Sequence, residues 1–429
     1  MISVVSETDR LRRVVVQPPG PAHERMLPEN IHPEGRNFLL FDDLIHVPGA
    51  RREHRELCAV LGTVAEVGVF EAMLAEVLEQ PSVRHFVVEE TSRLTHLADA
   101  DARRLLALDS DRLAASLIVG TLGGEVEDAE LFPPLVNLIF TRDLAAVAHD
   151  LIIVGNAHKP ARRRETVLTW AVVEHHPWFA PGRISKRCRW LRETGGSFPL
   201  TIEGGDVLVA RQGLVLVGAS ERTTWSKIVH LSEDLRQAGV ERMLVVEMPK
   251  QRSSMHLDTV LTFVDKDAVA VYGPILRPGG REECRAVRLE LVRDGVTVRE
   301  SAGNLLQALA AEGVAVRPIF CGGGHPLYEQ REQWTDGANY VAIAPGIVVG
   351  YGRNEHTAQA LAQSGYRLCD GPGFLKLFRE EFGSDADRLC ASGMRLAVHI
   401  DSNELTRGRG GPRCLTMPLE RDGGEPPSA

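Results

Sequence analysis

A chain of 429 residues is long enough for about three average domains, or for one large barrel-like or propeller-like domain with an insertion. Its apolar fraction of 44% and charged fraction of 25% are those of an ordinary globular protein, which excludes intrinsic disorder and a long coiled coil. A formal net charge of −9, with no Lys/Arg cluster beside an aromatic platform, argues against nucleic acid as the main partner.

The N-terminal sequence MISVVSETDRLRRVVV lacks the basic and then apolar pattern of a signal peptide. No apolar run reaches the roughly 18 residues that a membrane span requires, so we expect a cytoplasmic protein without a membrane partner. The cysteines are widely spaced without a C-x-x-C pair, which favours reduced thiols over a disulfide framework or a zinc site. They are Cys58, Cys188, Cys284, Cys321, Cys369, Cys390 and Cys414.

The first predicted strand lies in LRRVVVQPPG near the N-terminus. Residues 51–128 then carry Ala, Leu, Glu and Arg at helical spacing with few strand signals, which predicts an all-helical insertion. We therefore divide the chain into a catalytic α/β domain at 1–50 and 129–429 and a helical insertion at 51–128.

Three later stretches, which begin near residues 151, 215 and 347, share one pattern. Each has a β-branched apolar run, a glycine, a short polar turn, a threonine and then helical apolar spacing, which predicts a strand, a loop and a helix. The stretch MHLDTVLTFVDKDAVAVYGP from 255 adds a pair of predicted strands. Unequal spacing indicates a low-copy internal symmetry of α/β units of roughly 60 residues, not a solenoid.

The first candidate site residue lies at the end of the apolar run in VNLIFTRDLA. If this run is a strand, neighbouring side chains point to opposite faces, so only one of Arg142 and Asp143 faces a shared pocket. A surface charge pair is the alternative. The densest basic run, ARRRET at 161–166, is either a solvated helix start or an anion clamp.

Two acids, Glu203 and Asp206, flank Gly204 and Gly205 at the start of the strong predicted strand in LTIEGGDVLVA. Two glycines weaken a strand but permit a bulge or the close approach of a ligand. A tight turn with solvated acids is the alternative. Both acids remain candidates, and Asp206 is placed among the substrate-binding ones.

The stretch SMHLDTVLTFVD alternates with a period of two, which would place His256, Asp258 and Val260 on one face of a strand. A base and a carboxylate would then share one face of an otherwise apolar strand. A buried, hydrogen-bonded structural histidine is the alternative.

The last candidate is Cys414, which follows the loop RGRGGPR. The glycines predict a mobile loop, and Arg409 or Arg413 nearby would favour the thiolate; a structural cysteine is the alternative. A thiol, a histidine and several acids suit a planar guanidinium, while Arg162 and Arg222 suit a carboxylate at the other end of the same molecule. Free arginine has both ends.

Seven motifs in order resemble those of the arginine deiminases, members of the guanidino-group modifying enzyme superfamily. A further segment, FLLFDDLIHVPGARREH at 38–54, is similar to the family's lead into its helical insertion. The resemblance spans nearly the whole chain and implies a five-bladed α/β propeller of pseudo-symmetric ββαβ units with an inserted α-helical domain. The motifs are NLIFTRD (137–143), KPARRRET (159–166), EGGD (203–206), GASERTT (218–224), MHLDT (255–259), ANYVAIAPGIVVGYGRNEHT (338–357) and RGRGGPRCLTMPL (407–419).

Carried over residue by residue, the resemblance implies a catalytic set of five. Cys414 is similar to the family's nucleophile, and His256 to its general acid and base. Glu203 would orient His256, while Asp143 and Asp258 would hold the guanidinium.

The same resemblance implies a substrate-binding set. Arg162, Arg222 and Asn137 match positions that bind the carboxylate and backbone end of the substrate. Arg409 matches the loop arginine that closes over the ligand, and Phe140 packs near the aliphatic stem.

The implied reaction is hydrolysis of L-arginine to L-citrulline and ammonia through a covalent amidino-cysteine intermediate, without a metal or an organic cofactor. The implied partner is a small guanidino substrate, and the family commonly forms homodimers or homotetramers. An amidinotransferase with the same intermediate, a deiminase of agmatine or a modified arginine, and a non-catalytic arginine-binding scaffold are the alternatives. Arg413, directly before Cys414, receives no role.

Overall fold

The computed structural model describes residues 2–35, 38–180, 182–185, 200–292, 295–300 and 303–423. Over these residues the chain is a mixed α/β fold with five separate β-sheets. Cys188 lies outside the described residues, and the other six cysteines are free thiols, as predicted. Among the described helices, none combines the length and the apolar character needed to cross a bilayer.

The strands within these residues are β1 (Leu11–Val16), β2 (Glu66–Val69), β3 (Ala145–Ala148), β4 (Leu151–Val154), β5 (Arg183–Ile184), β6 (Val207–Arg211), β7 (Leu214–Ala219), β8 (Arg242–Glu247), β9 (Leu261–Asp265), β10 (Ala268–Val271), β11 (Arg285–Val292), β12 (Gly295–Glu300), β13 (Arg317–Phe320), β14 (Val341–Ala344), β15 (Ile347–Tyr351), β16 (Arg367–Asp370), β17 (Leu396–Ile400) and β18 (Met417–Arg421). The α-helices are α1 (Pro21–Glu24), α2 (Val47–Leu61), α3 (Phe70–Val77), α4 (Pro81–Thr95), α5 (Asp99–Leu106), α6 (Ser110–Val119), α7 (Thr141–Leu144), α8 (Arg163–His175), α9 (Trp225–Gln237), α10 (Leu305–Ala311), α11 (Pro326–Trp334), α12 (Glu355–Gln363), α13 (Gly371–Phe382) and α14 (Ala386–Ala391).

All five sheets repeat one arrangement. In each, an antiparallel pair of strands is extended by a third strand that runs parallel to the second member of the pair. The first sheet joins the two ends of the chain, because β1 pairs with β18. The sheets have the strand orders β18–β1–β2, β3–β4–β5, β6–β7–β8–β11–β12, β9–β10–β13 and β14–β15–β17–β16.

The three predicted strand–loop–helix stretches are confirmed: β4 leads to α8, β7 to α9 and β15 to α12. These strands are buried along their whole length, so they read as continuous apolar runs. Each helix buries an apolar stripe, as Ile228, Leu231 and Leu235 do on α9. The predicted strand β1 and the antiparallel pair β9–β10 are also confirmed.

Residues 51–128 hold most of α2 and all of α3 to α6, but they also hold β2. The all-helical expectation is therefore wrong at Glu66–Val69. This strand forms because the free edge of β1 needs hydrogen-bond partners, and β2 runs parallel to it from Arg13 to Val16. Helices α3 and α4 pack on α8. The division of the chain into two domains stays a prediction.

The extended conformations predicted for VNLIFTRDLA and SMHLDT are wrong. Val136–Ile139 is a 3₁₀ helix followed by α7, and Leu257–Thr259 is a second 3₁₀ turn, so β3 and β9 begin only after these residues. A hydrogen bond within the turn favours the 3₁₀ conformation over pairing with a neighbouring strand, because the Thr259 hydroxyl donates to the His256 carbonyl at 2.6 Å. His256 and Asp258 therefore do not share the face of a strand.

Candidate active site

A turn from each of the five sheets contributes to one buried site. Each turn comes just before the first strand of its sheet's antiparallel pair. Asp143 precedes β3, Glu203 precedes β6, His256 precedes β9, Asn339 precedes β14 and Cys414 precedes β18. The repeated arrangement thus brings together groups that are far apart in the sequence.

These turns surround a cavity of about 10 Å³, roughly the room that one water molecule needs. Eight of the eleven predicted site residues line it, whereas Glu203, Asp206 and Asp258 do not. The predicted residues in the lining are Asn137, Phe140, Asp143, Arg162, Arg222, His256, Arg409 and Cys414.

The thiol of Cys414 is buried and hydrogen-bonded. The Asn339 side-chain amide donates to Sγ at 3.2 Å, and the thiol lies 3.6 Å from Oδ2 of Asp258, to which it can donate. The Asn339 carbonyl oxygen accepts from the Cys414 backbone N–H at 3.1 Å. Burial, together with the charges of Asp258 and Asp143, raises the pKa of Cys414 well above its usual value. Without a bound cation, the sulfur is therefore a neutral thiol.

The imidazole of His256 lies between two carboxylates. Its Nε2 is 2.8 Å from Oε2 of Glu203, and its Nδ1 is 3.6 Å from Oδ1 of Asp143. Burial alone would favour the neutral ring, but the charges of Asp143 and Glu203 outweigh it and raise the pKa of His256 to about 9. The ring is therefore protonated at neutral pH and can act as a general acid.

Arg162 is held by three carboxylates. Its Nη1 donates to Asp143 at 2.6 Å and to Glu203 at 3.1 Å, and its Nε donates to Glu165 at 2.9 Å. Burial would raise the pKa of Glu203, but Arg222, Arg162 and the hydrogen bond from His256 hold it well below its usual range. Atoms of Asp143, Glu203 and His256 lie within 4.8 Å of one another, the spacing of a metal site, but Arg162 already bridges the two acids.

Asp143 and Asp258 are each half satisfied. Oδ2 of Asp143 accepts from Arg162 at 2.6 Å, and Oδ2 of Asp258 accepts from Arg413 at 2.9 Å. Within the described part of the chain, Oδ1 of each residue is buried without a hydrogen bond. Buried carboxylate oxygens without donors are costly. The arrangement therefore leaves two acceptors for a cation close to the Cys414 thiol.

Comparison with known proteins agrees with this chemistry. The sequence model of the arginine deiminase family matches residues 37–421. The chain is 32% identical to the arginine deiminase of Listeria monocytogenes serotype 4a over 444 residues, which cover 98% of each protein. It belongs to the arginine deiminase family. It is also 30% identical to the arginine deiminase of Bacillus cytotoxicus over 448 residues, again with 98% of each protein covered.

Solved structures share the fold of this arginine deiminase family member. SxtG, an amidinotransferase from Microseira wollei, matches with a TM-score of 0.54 and 14% identity, covering 99% of this chain and 98% of that one. The N-terminal domain of ArgZ, a cyanobacterial arginine dihydrolase, matches with a TM-score of 0.51 and 11% identity, covering 95% and 98%.

The loop before Cys414 of this family member is tightly packed, not loose as its glycines predicted. Arg409 has a left-handed backbone with φ of 61°, its guanidinium lies 3.8 Å from the Trp334 ring centre, and it donates to the Trp334 carbonyl at 2.8 Å. A Cβ atom at Gly410 would overlap the ring of Phe140. The glycine is required for this close approach.

Other predicted residues have clear local contacts. Asp206 accepts from the Ser220 hydroxyl at 2.6 Å and from the Leu257 N–H at 2.9 Å, so it fixes the turn after His256 and lies outside the cavity lining. The predicted contact of Asp206 with the substrate is not supported by its place outside the cavity lining. Asn137 lines the cavity, but its amide donates to the Leu39 carbonyl at 2.6 Å.

Two functional candidates of this family member were missed by the sequence reasoning. Asn339 lies inside a motif singled out above, and an asparagine just before a buried strand was the available signal. Arg252 lines the cavity and forms an ion pair with Asp42 at 2.9 Å. No feature of its surrounding sequence marks it, because its partner lies about 200 residues away.

Proposed function

We propose that this protein hydrolyses L-arginine to L-citrulline and ammonia through a covalent amidino-cysteine intermediate. The observation that carries the proposal is that Oδ1 of Asp143 and Oδ1 of Asp258 are buried and accept no hydrogen bond from the described residues, while Oδ2 of Asp258 lies 3.6 Å from the Cys414 sulfur. A guanidinium is planar and carries donors in a fixed fork, so it can satisfy both oxygens while its carbon faces the sulfur.

Substrate binding would also generate the nucleophile. Burial and the charges of Asp258 and Asp143 disfavour the thiolate. A guanidinium between the two acids would balance their charge and lower the pKa of Cys414, so that the thiol releases its proton to solvent as arginine enters. The thiolate then attacks the guanidinium carbon, and protonated His256 gives its proton to the departing nitrogen, so that ammonia leaves.

The second half of the reaction would use the now neutral His256. It takes a proton from water as the hydroxide bonds to the cationic amidino carbon. The carbon–sulfur bond of this adduct then breaks, which returns the thiolate, and the proton on the new oxygen passes to solvent, so that neutral citrulline leaves. Glu203 would keep the ring oriented throughout, as its 2.8 Å contact with Nε2 supports.

The other end of the substrate would lie toward Arg222. Nε of Arg222 is buried without a hydrogen bond among the described residues. In contrast, all three guanidinium nitrogens of Arg162 donate hydrogen bonds to the protein. Arg222 is thus the arginine with a donor to spare for a carboxylate, and Arg162 would join it only after rearrangement. Since the cavity holds about one water molecule, the segment with Arg409 would open to admit arginine.

We extend the proposal to the whole molecule. The five sheets would be the blades of an α/β propeller around the site, which is supported by their common arrangement and by the one turn that each contributes. A cytoplasmic homodimer or homotetramer remains our prediction from the family likeness, and light scattering of the purified protein tests the oligomeric state.

The test is incubation with L-arginine, followed by assays for citrulline and ammonia. We expect equal amounts of both products from the wild type, none from Cys414→Ser, and normal amounts from Cys390→Ser, which changes a thiol on α14 outside the cavity. Amidino transfer that requires an added amine would replace the proposal with the transferase, and arginine binding without product would replace it with a scaffold.

A further inference from the structure

We propose that Arg413 is a positioning residue that fixes Asp258 so that one of its oxygens stays free for the guanidinium. This inference deepens the proposed function and rests on it. Arg413 directly precedes Cys414; the family resemblance gave it no role, and its position in the sequence suggested only that its charge would favour the thiolate.

The contacts of Arg413 leave its guanidinium little freedom. It is almost completely buried, its Nη1 donates to Oδ2 of Asp258 at 2.9 Å, and its Nη2 donates to the Val207 carbonyl at 2.8 Å. Its Nε and Nη2 also donate to the two oxygens of Glu7, at 3.1 and 2.9 Å. Because all three nitrogens of the guanidinium are hydrogen-bonded, its plane is fixed, and this fixes the orientation of the Asp258 carboxylate.

Glu7 anchors this arrangement from the N-terminal segment. Its backbone N–H donates to the Val209 carbonyl at 2.9 Å, and the Val209 N–H donates to its side chain at 3.2 Å, so the carboxylate is tied to β6. Burial would raise the pKa of Glu7, but Arg413 and Arg142 lower it to about 2. Glu7 is therefore ionised and holds Arg413 by charge as well as by geometry.

The arrangement has a counterpart at Asp143, which lines the cavity. Arg162 binds Oδ2 of Asp143 just as Arg413 binds Oδ2 of Asp258, and within the described residues Oδ1 of each acid accepts no hydrogen bond. One arginine thus holds each acid by a single oxygen. Without it, a carboxylate that needs two partners could rotate, and the two free oxygens would no longer face one flat cation.

Arg413 also links the acid to the nucleophile. Oδ1 of Asn339 accepts from the backbone N–H of Arg413 at 3.0 Å and from that of Cys414 at 3.1 Å. The guanidinium that sets Asp258 and the thiol that attacks are therefore placed by adjacent residues on one turn. A shift of this arginine would move the acid relative to the sulfur.

The test compares Arg413→Lys and Glu7→Gln with Arg242→Lys, a control that alters an ion pair with buried Glu312 outside the cavity. Lysine keeps the charge of Arg413 but not its fork, and glutamine in place of Glu7 keeps the shape but not the charge. All variants are first checked for folding by circular dichroism and melting temperature, and arginine turnover by the wild type is measured separately.

The decisive readout is alkylation of Cys414 by 2-chloroacetamidine, a planar cation, against iodoacetamide, which is neutral; in both, the sulfur displaces the halide. We expect Arg413→Lys and Glu7→Gln to slow the reaction with the cation by about tenfold or more, with a smaller change for iodoacetamide and no change in Arg242→Lys. If Arg413→Lys does not fold, the same comparison of the cationic and the neutral reagent in Glu7→Gln distinguishes a positioning role of Arg413 from a purely structural one.

Equal effects on the cationic and the neutral reagent would overturn the inference, because a purely structural role would disturb both. A wild type that is alkylated selectively by the cation but does not turn over arginine would sink the proposed function and leave the role of Arg413 intact. A lower melting temperature with unchanged selectivity would also overturn the inference.

Discussion

At the scale of single residues, acids and cations of the protein are paired around the cavity. Asp143, Asp258 and Glu203 form ion pairs with arginines of the protein, yet Oδ1 of Asp143 and Oδ1 of Asp258 accept no hydrogen bond from the part of the chain that the structure describes. Burial, together with the charges of Asp258 and Asp143, raises the pKa of the Cys414 thiol, and the charges of Asp143 and Glu203 outweigh burial and raise the pKa of His256. A cationic substrate would offset the negative charges that disfavour the Cys414 thiolate, and it would receive the proton that His256 carries.

The titration of His256 leads to a prediction about pH. Because the proposed reaction needs the protonated ring and its pKa is about 9, kcat/KM should fall as the pH rises through about 9. Glu203→Gln removes one of the acids that raise this pKa, so the falling limb should move to lower pH. A limb at the same pH in both proteins would contradict the assignment.

The same titration has a consequence for stability. The folded-state pKa of His256 lies above the ordinary value of 6.5, so its contribution to the free energy of unfolding is complete below about 6.5 and is lost as the pH rises through about 9.

Arg222 leads to a prediction about specificity. Its free Nε suits the carboxylate of arginine, so Arg222→Leu should raise KM for L-arginine by about 10- to 100-fold, the value of a hydrogen bond between charged groups. Agmatine, which lacks the carboxylate, should be affected much less, and Arg222→Lys should restore part of the affinity. Steady-state kinetics with both substrates measures this, and an equal loss for both would refute it.

At the scale of elements, strands form the framework and the turns before them carry the chemistry. The strands could be predicted because short apolar runs rich in β-branched residues, such as LIIV and IVVGY, are typical of buried strands. The turns could not, because HLDTV alternates like a strand and only contacts with distant groups, such as Asp206 with the Leu257 N–H, select the 3₁₀ conformation. Their sequence context and the family resemblance predicted the candidate site residues, whereas the contacts of Asn339 with Cys414 and of Arg413 with Asp258 could be seen only in the folded chain.

The packing of the loop leads to a prediction about Gly410. A methyl group there would overlap Phe140, so Gly410→Ala should shift the Cys414 loop, lower kcat and destabilise the protein by about 1–3 kcal/mol. Gly20→Ala is the control, because its nearest heavy atom is 3.7 Å away in a flexible arginine side chain. Adding Phe140→Leu to Gly410→Ala should recover part of the stability in urea unfolding, and no recovery would mean that the overlap is relieved elsewhere.

At the scale of the whole molecule, the site depends on every sheet at once. The antiparallel pairing of β1 with β18 joins the ends of the chain, and Glu7 from one end holds Arg413 from the other. Loss of any one sheet would displace one of the five turns that form the candidate active site. The candidate site is therefore complete only in the complete fold.

This dependence leads to a prediction about unfolding. Phe70, Leu74 and Leu117 of the helical stretch at 51–128 share one apolar core with Val167 and Leu168 of α8, and β2 completes the sheet that joins the chain ends. Elements that share a core and a sheet unfold together. Far-UV circular dichroism and citrulline formation should therefore be lost in a single urea transition with one midpoint. If activity persists after a first loss of helical signal, the stretch at 51–128 unfolds as a separate domain, because the five turns can then hold the site without it.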